Sequence, residues 1–212
     1  MSIYFCGNPQ KYNNTPHPSL YSPTLTYPSN LCYNYYMKKL ILKAKLKNRD
    51  TFESNLAAIN LDFTPIYWQH DRIYVPRGYR PSSNFPRLTM RTNLFAIDEQ
   101  PQYSLILRRH IEDSGIDIYE ETPVLDYATT VNIIFQLGFK QIAEVSRRRQ
   151  DLDMGEGTTI YLDSVDGRDE PYAKIETILK DGDSVEAARR DLEATFGTLG
   201  EQEFVNQPYF EL

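Results

Sequence analysis

The sequence predicts an α+β fold in which most of the sheet is antiparallel. Two observations carry this. Seven or eight stretches alternate apolar and polar residues with period two, the mark of a strand with one covered face. They are interspersed with only three stretches of helical spacing, and neighbouring strands are hairpin-like in their separation, so antiparallel pairing is expected rather than βαβ crossovers. No repeat of fixed period stands out.

The first strand is the clearest. In KKLILKAKLK at 38–47, Leu40, Leu42, Ala44 and Leu46 fall on one side, and Lys39, Ile41, Lys43, Lys45 and Lys47 on the other. Asp50 is placed to cap a short helix over 51–59, with Phe52, Leu56 and Ile59 on one face. Strands follow at 72–75, 87–92, 103–109 and 116–124. Between the first two of these, PRGYRPSSNFP at 76–86 reads as a loop. Asp126 can cap a helix over 127–137 that Gly138 ends. Strands return at 141–149, 158–165 and 172–179. Asp183 with Glu186 resembles a capping box for a last helix over 184–196.

Residues 1–36 differ from the rest. They hold seven of the 16 tyrosines and five of the 13 prolines, no Asp or Glu, and Lys11 as their one Lys or Arg. They show no steady period and no signal-peptide pattern. They are expected to be a disordered Tyr/Pro/Asn-rich tail before a domain at 37–212. Cys6 and Cys32 both lie in this tail without metal-like spacing, and are expected to be reduced thiols in a cytoplasmic protein. The chain has 212 residues and a net charge of −6, which disfavours nucleic acid or an anionic membrane as partner. No apolar run is long enough to span a membrane.

Against this acidic background, positive charge gathers on strands. The row Lys43, Lys45 and Lys47 is one cluster; Arg87 with Arg91, Arg108 with Arg109, and Arg147 with Arg149 are others. Any one of these is explained by a solvated or edge strand. Several together, each opposite an apolar face, suggest a sheet that curls on itself with helices outside and charge inside. Like charges indoors need a counter-ion, and polyphosphate is the natural one. The three histidines show no metal-ligand spacing, and no Gly-rich phosphate loop occurs.

These segments resemble, in order, those of CYTH domains, the triphosphate tunnel superfamily that includes class IV adenylyl cyclases and thiamine triphosphatases. The matches are KAKLKNRDTFESNLAAI at 43–59, QHDRIYV at 69–75, RLTMR at 87–91, LILRR at 105–109, IYEETPVLD at 118–126, LGFKQIAEVSRRRQ at 137–150, IYLDSVDG at 160–167, YAKIE at 172–176 and VNQPYFEL at 205–212. The resemblance implies an antiparallel eight-stranded barrel-like tunnel with helices packed outside. It implies a nucleoside, organic or inorganic triphosphate as ligand, with Mg²⁺ or Mn²⁺. Lys43, Lys45, Arg91, Arg108, Arg147 and Arg149 match phosphate-binding positions, Lys47 continues the same face and is expected to join them, and Glu121, Asp163 and Glu176 match acidic positions expected to hold the metal.

The sequence also departs from the family pattern. Lys39 and Ile41 stand where its first two glutamates belong, Tyr119 and Lys174 where two more do, and Thr89 where an arginine does. A hard divalent cation needs carboxylates, so these changes weaken the metal half of the site and leave the anion half intact. The expectation is a triphosphate-binding tunnel with adenylyl cyclase or triphosphatase activity on a degenerate metal site. The alternatives are a non-catalytic polyphosphate- or nucleotide-binding module and an RNA-binding domain with its basic faces outside.

Overall fold

The protein is described from a computed structural model that covers residues 37–58, 61–80, 85–111, 116–200 and 203–211. The expected disordered tail at 1–36, with both cysteines, lies outside the described residues.

Eight strands form one ring: β1 (Met37–Lys45), β2 (Tyr67–Pro76), β3 (Arg87–Leu94), β4 (Gln102–Ile111), β5 (Ile116–Val124), β6 (Phe139–Gly155), β7 (Thr158–Val165) and β8 (Tyr172–Leu179). All pairings are antiparallel, in the order β1-β5-β4-β3-β2-β6-β7-β8, and β8 returns to β1 to close the barrel. Closure gives every strand a partner on both sides, although β1 and β5 meet only over Met37–Leu40. Three helices lie outside: α1 (Arg49–Ala57), α2 (Tyr127–Gln136) and α3 (Val185–Leu199).

The apolar faces point outward to these helices. Leu40, Leu42, Ala44 and Leu46 pack with Phe52 and Leu56 of α1, Leu192, Phe196 and Leu199 of α3, and Ile160, Leu162, Ala173 and Ile175 of β7 and β8. Around α2, Ile134 packs against Tyr74 and Met90. Because successive strand side chains alternate sides, the lysine face of β1 and the arginine faces of β3, β4 and β6 are turned to the barrel interior. This is the arrangement the charge pattern requires.

The sequence-based boundaries need four corrections. β2 begins at Tyr67, not Arg72, and β6 runs over Phe139–Gly155, well past Arg149. Both added segments are polar on the inward face, so the apolar alternation that flags a strand is missing from them. β6 joins β7 through the two-residue turn Glu156-Gly157, whose φ values of 52° and 79° suit a type I′ hairpin. Asn48, not Asp50, caps α1, accepting from the Thr51 N–H at 3.0 Å. Ser184, not Asp183, caps α3 through the Ala187 N–H at 3.2 Å, while Asp183 accepts from the Lys180 N–H. Asp126 does cap α2, and Gly138 follows it at φ 85°.

The β1–β5 ladder is short, covering only Met37–Leu40. Farther along, β1 takes the C-terminal segment as its neighbour. Lys45 N–H donates to Glu203 O, Val205 N–H donates to Lys43 O, and Ala44 bridges Phe204. The chain then turns in over this end of the barrel as residues 206–211.

Candidate anion-binding tunnel

A cavity of about 740 Å³ opens at that end. Its lining includes eight Lys and Arg side chains (Lys43, Arg87, Arg91, Arg108, Arg147, Arg149, Lys174 and Arg189) against three Asp and Glu (Asp71, Asp117 and Glu211). In a chain of net charge −6, this is a strong local reversal of sign.

The cations are supplied from different strands at matching heights. β2 and β6 pair Gln69 with Arg147 and Asp71 with Val145, and β2 and β3 pair Asp71 with Arg91. Asp71 therefore sits between two arginines. Arg91 grips it with both forks, at 2.8 and 3.0 Å, and Arg147 donates to its second oxygen at 2.5 Å. Arg147 also donates through Nε to Gln69 Oε1 at 2.9 Å. Burial alone would raise the Asp71 pKa, but the two guanidiniums hold it far below the usual carboxylate range. Beside it, Arg149 holds Asp163 bidentately, both bonds at 2.6 Å, with Asp163 fully buried. Burial opposes the charge on Asp163 too, yet Arg149 brings its pKa down to about 2. The arginines in these clusters are thus partly committed to protein acids. Arg108 is freer: its ion pair with Asp117 is long, 3.6 Å, and its side chain is 28% exposed.

Lys43 is the interior lysine of β1 in this cavity. Its Nζ donates to the Gln207 carbonyl and lies 4.3 Å from the Tyr209 ring. Burial, with Arg108 and Arg147 nearby, lowers its pKa to about 8 although Asp163 opposes the shift. The sign has two consequences. An ammonium that deprotonates near 8 attracts an anion in the cavity less above that pH, so the affinity of any anion held there, tested with tripolyphosphate, is expected to weaken as pH rises through about 8. Between about 8 and the ordinary 10.5 the unfolded chain carries more protons than the folded one, so this group's contribution to stability rises with pH over the same window. Calorimetric titration and melting curves across that range check both, with Lys43→Met expected to flatten each.

Of the predicted phosphate-binding residues, Lys43, Arg91, Arg108, Arg147 and Arg149 share the cavity. Lys45 and Lys47 do not. Lys45 is at the rim, where β1 ends, ion-paired with Glu170 at 2.5 Å, and Lys47 lies exposed beyond the strand. The lysine row runs farther than the barrel does.

The predicted metal ligands are apart. Glu121 is exposed and accepts from Ser104 Oγ and Tyr119 OH, both at 2.5 Å. Asp163 is held by Arg149 and by Tyr209 OH, the latter at 2.7 Å. Glu176 is buried between Lys174 Nζ at 2.5 Å and Lys39 Nζ at 3.3 Å. Among the described residues no three His, Cys, Asp or Glu side chains gather as metal ligands. Each carboxylate already faces a protein donor, so the residues present do not fit a ready-made Mg²⁺ or Mn²⁺ site.

Sequence reasoning assigned no role to Asp71, Gln69 or Tyr209. Asp71 and Gln69 share the inward face of β2, and the period-two register with the basic strands is the signal that could have found them. Tyr209 has no periodic signal because it lies in the short 3₁₀ turn Tyr209–Glu211.

Comparison with solved structures places this architecture. A protein of Pyrococcus horikoshii OT3 superposes with a TM-score of 0.70 at 23% identity, over 82% of this chain and 96% of its own. A candidate adenylate cyclase of Vibrio parahaemolyticus gives 0.68 at 18%, over 82% and 95%. The chain has the CYTH-like fold. A third CYTH-like neighbour, from Hippeastrum, is described as a candidate adenylyl cyclase with a dominant triphosphatase activity; it gives 0.56 at 15%, over 82% and 93%. At such identities the likeness is one of fold. No protein-family profile and no curated protein matches the sequence. No helix among the described residues is long and apolar enough to cross a membrane.

Proposed function

We propose that the CYTH-like barrel binds a triphosphate, either a nucleotide such as ATP or an organic or inorganic triphosphate, with its phosphates in the basic cavity. The observation that supports this most is the charge reversal: seven strand Lys and Arg, with Arg189 of α3, line the cavity against Asp71, Asp117 and Glu211, and counting the buried Asp163 and Glu176 behind Arg149 and Lys174 still leaves a surplus of cations in an acidic chain. An excess of buried cations is costly without a counter-ion, and a triphosphate brings several negative charges and many acceptor oxygens. Lys43 offers a point charge, and Arg108 and Arg87 offer forked donors less committed to protein acids than Arg91 or Arg149. A volume of about 740 Å³ suits a nucleotide-sized ligand.

Turnover is the second reading. The Vibrio and Hippeastrum neighbours are described as candidate adenylyl cyclases, the latter with a dominant triphosphatase activity. In this chain the basic groups would orient the phosphates and neutralise charge that develops on them, which is most of what a protein does in phosphoryl transfer. A divalent ion would supply further charge neutralisation, but Glu121, Asp163 and Glu176 do not converge to hold one.

A thermal-shift series with ATP, thiamine triphosphate and tripolyphosphate, each with and without Mg²⁺ or Mn²⁺, tests the reading. Stabilisation by at least one triphosphate is expected. Release of pyrophosphate, phosphate or cyclic nucleotide in the same samples would add turnover to binding. No stabilisation by any of them would end both readings.

A further inference from the structure

Next to Lys43, and continuing along β1 and β8 away from the C-terminal segment, the barrel interior holds an arrangement that triphosphate binding alone does not explain. Glu176 is buried there and carries two lysines, Lys174 at 2.5 Å and Lys39 at 3.3 Å. Each lysine is backed by an aromatic face. Lys39 Nζ lies 3.9 Å from the Tyr119 centroid, and Lys174 Nζ lies 4.1 Å from that of Tyr161. Tyr161 in turn lies 4.3 Å from the Arg149 guanidinium, the partner of Asp163. The rest of the interior repeats the theme. Asp71 is covered by Arg91 and Arg147, Asp163 by Arg149, and Asp117 by His110 and Arg108.

We infer that Lys39 and Lys174 act as fixed internal cations in place of a divalent ion, so that the tunnel takes its tri- or polyphosphate as the free, metal-free anion. The inference rests on the triphosphate-binding reading above. Its argument is electrostatic. At Asp71, Asp117, Asp163 or Glu176 a divalent cation would have to displace an ammonium, imidazole or guanidinium from its carboxylate, leaving a protein cation unpaired beside two new charges of the same sign. A free polyphosphate meets the opposite situation, because the surplus cations lack enough acids to balance them. Lysine also forms no coordination sphere, so geometric demands of octahedral Mg²⁺ play no part. Mg²⁺ in solution then acts as a competitor, since it chelates the ligand and lowers the charge the tunnel recognises.

Isothermal titration of tripolyphosphate into the full chain, in EDTA and in excess Mg²⁺, provides the test. Tighter binding in EDTA, by about tenfold or more, is expected. Equal or tighter binding in Mg²⁺ would overturn the inference and leave the tunnel reading standing. No binding in either condition would overturn the tunnel reading itself. Lys174→Glu supplies the converse, because it exchanges a cation for a second carboxylate next to Glu176. Mn²⁺ alone should raise the melting temperature of this variant and leave that of the native chain unchanged. If Mn²⁺ raises both equally, the lysines do not exclude metal and the inference fails. Lys39→Glu is the second variant should Lys174→Glu not fold, and the same two outcomes apply.

Discussion

Replacing Asp163 by alanine is expected to destabilise the protein by about 3–5 kcal/mol, the cost of leaving a buried charge without its partner. Asp163 is fully buried and takes two bonds of 2.6 Å from Arg149 and one of 2.7 Å from Tyr209. Arg149, itself buried, would lose both of its short bonds to Asp163. For a domain of this size each kcal/mol moves the melting temperature by roughly 2–4 °C, so the drop should be on the order of 10 °C. Asp163→Asn should cost less, since an amide oxygen still accepts from one arm of Arg149. Acid should act in the same direction. The folded pKa of Asp163 is held at about 2, below the ordinary 3.8, so its contribution is present above 3.8 and is lost as pH falls through about 2. Melting curves of the two variants, and of the native chain through that range, check this. A fall of less than about 1 kcal/mol for Asp163→Ala would show that the pair is not a structural support.

Arg108→Ala should produce the opposite profile. Its ion pair with Asp117 is long, at 3.6 Å, and Asp117 keeps His110 at 2.9 Å. Its loss should therefore cost below about 1 kcal/mol of stability. If Arg108 donates to a bound phosphate, that charged hydrogen bond contributes about 1.5–3 kcal/mol, or roughly 10–100-fold in tripolyphosphate affinity. Titration and melting of the same preparation separate the two effects. Weakened folding with unchanged affinity would place Arg108 among the supports of the barrel instead. Asp163 and Arg108 thus represent two uses of charge in one cavity: pairs that hold the walls, and donors left for a ligand.

How much of this was legible in the sequence follows from what each face of the barrel contacts. The strand with a lysine face and a leucine face was plain, because β1 packs its leucines on α1 and α3 and turns its lysines inward. The same contrast revealed β3, β4 and β8. The first half of β2 and the last third of β6 were missed because Gln69 and Asp71 are buried polar residues facing a polar interior, while Asp151 is half-buried and Asp153 exposed at the end of β6, so neither segment leaves an apolar trace on that face. Lys45 and Lys47 were placed with Lys43 because period two continues through them, but periodicity carries no information on where a barrel ends. The pairing of each acid with its own cation was also hidden. Asp71 with Arg91 depends on the exact register of β2 on β3, and Glu176 with Lys39 on the pairing of strands far apart in the chain. The C-terminal segment was visible only as a short motif; that it pairs with β1 and sends Tyr209 over Lys43 depends on the β1–β5 ladder being short.

The central claim is that the barrel interior is an anion site, and the most direct measurement watches the anion itself. In a phosphorus NMR titration of tripolyphosphate with the full chain in EDTA, the terminal and central phosphorus resonances should broaden and shift until one ligand is bound per chain. Arg108→Ala should weaken that response without changing its end point. Unchanged resonances at a protein concentration equal to that of the ligand would contradict the account.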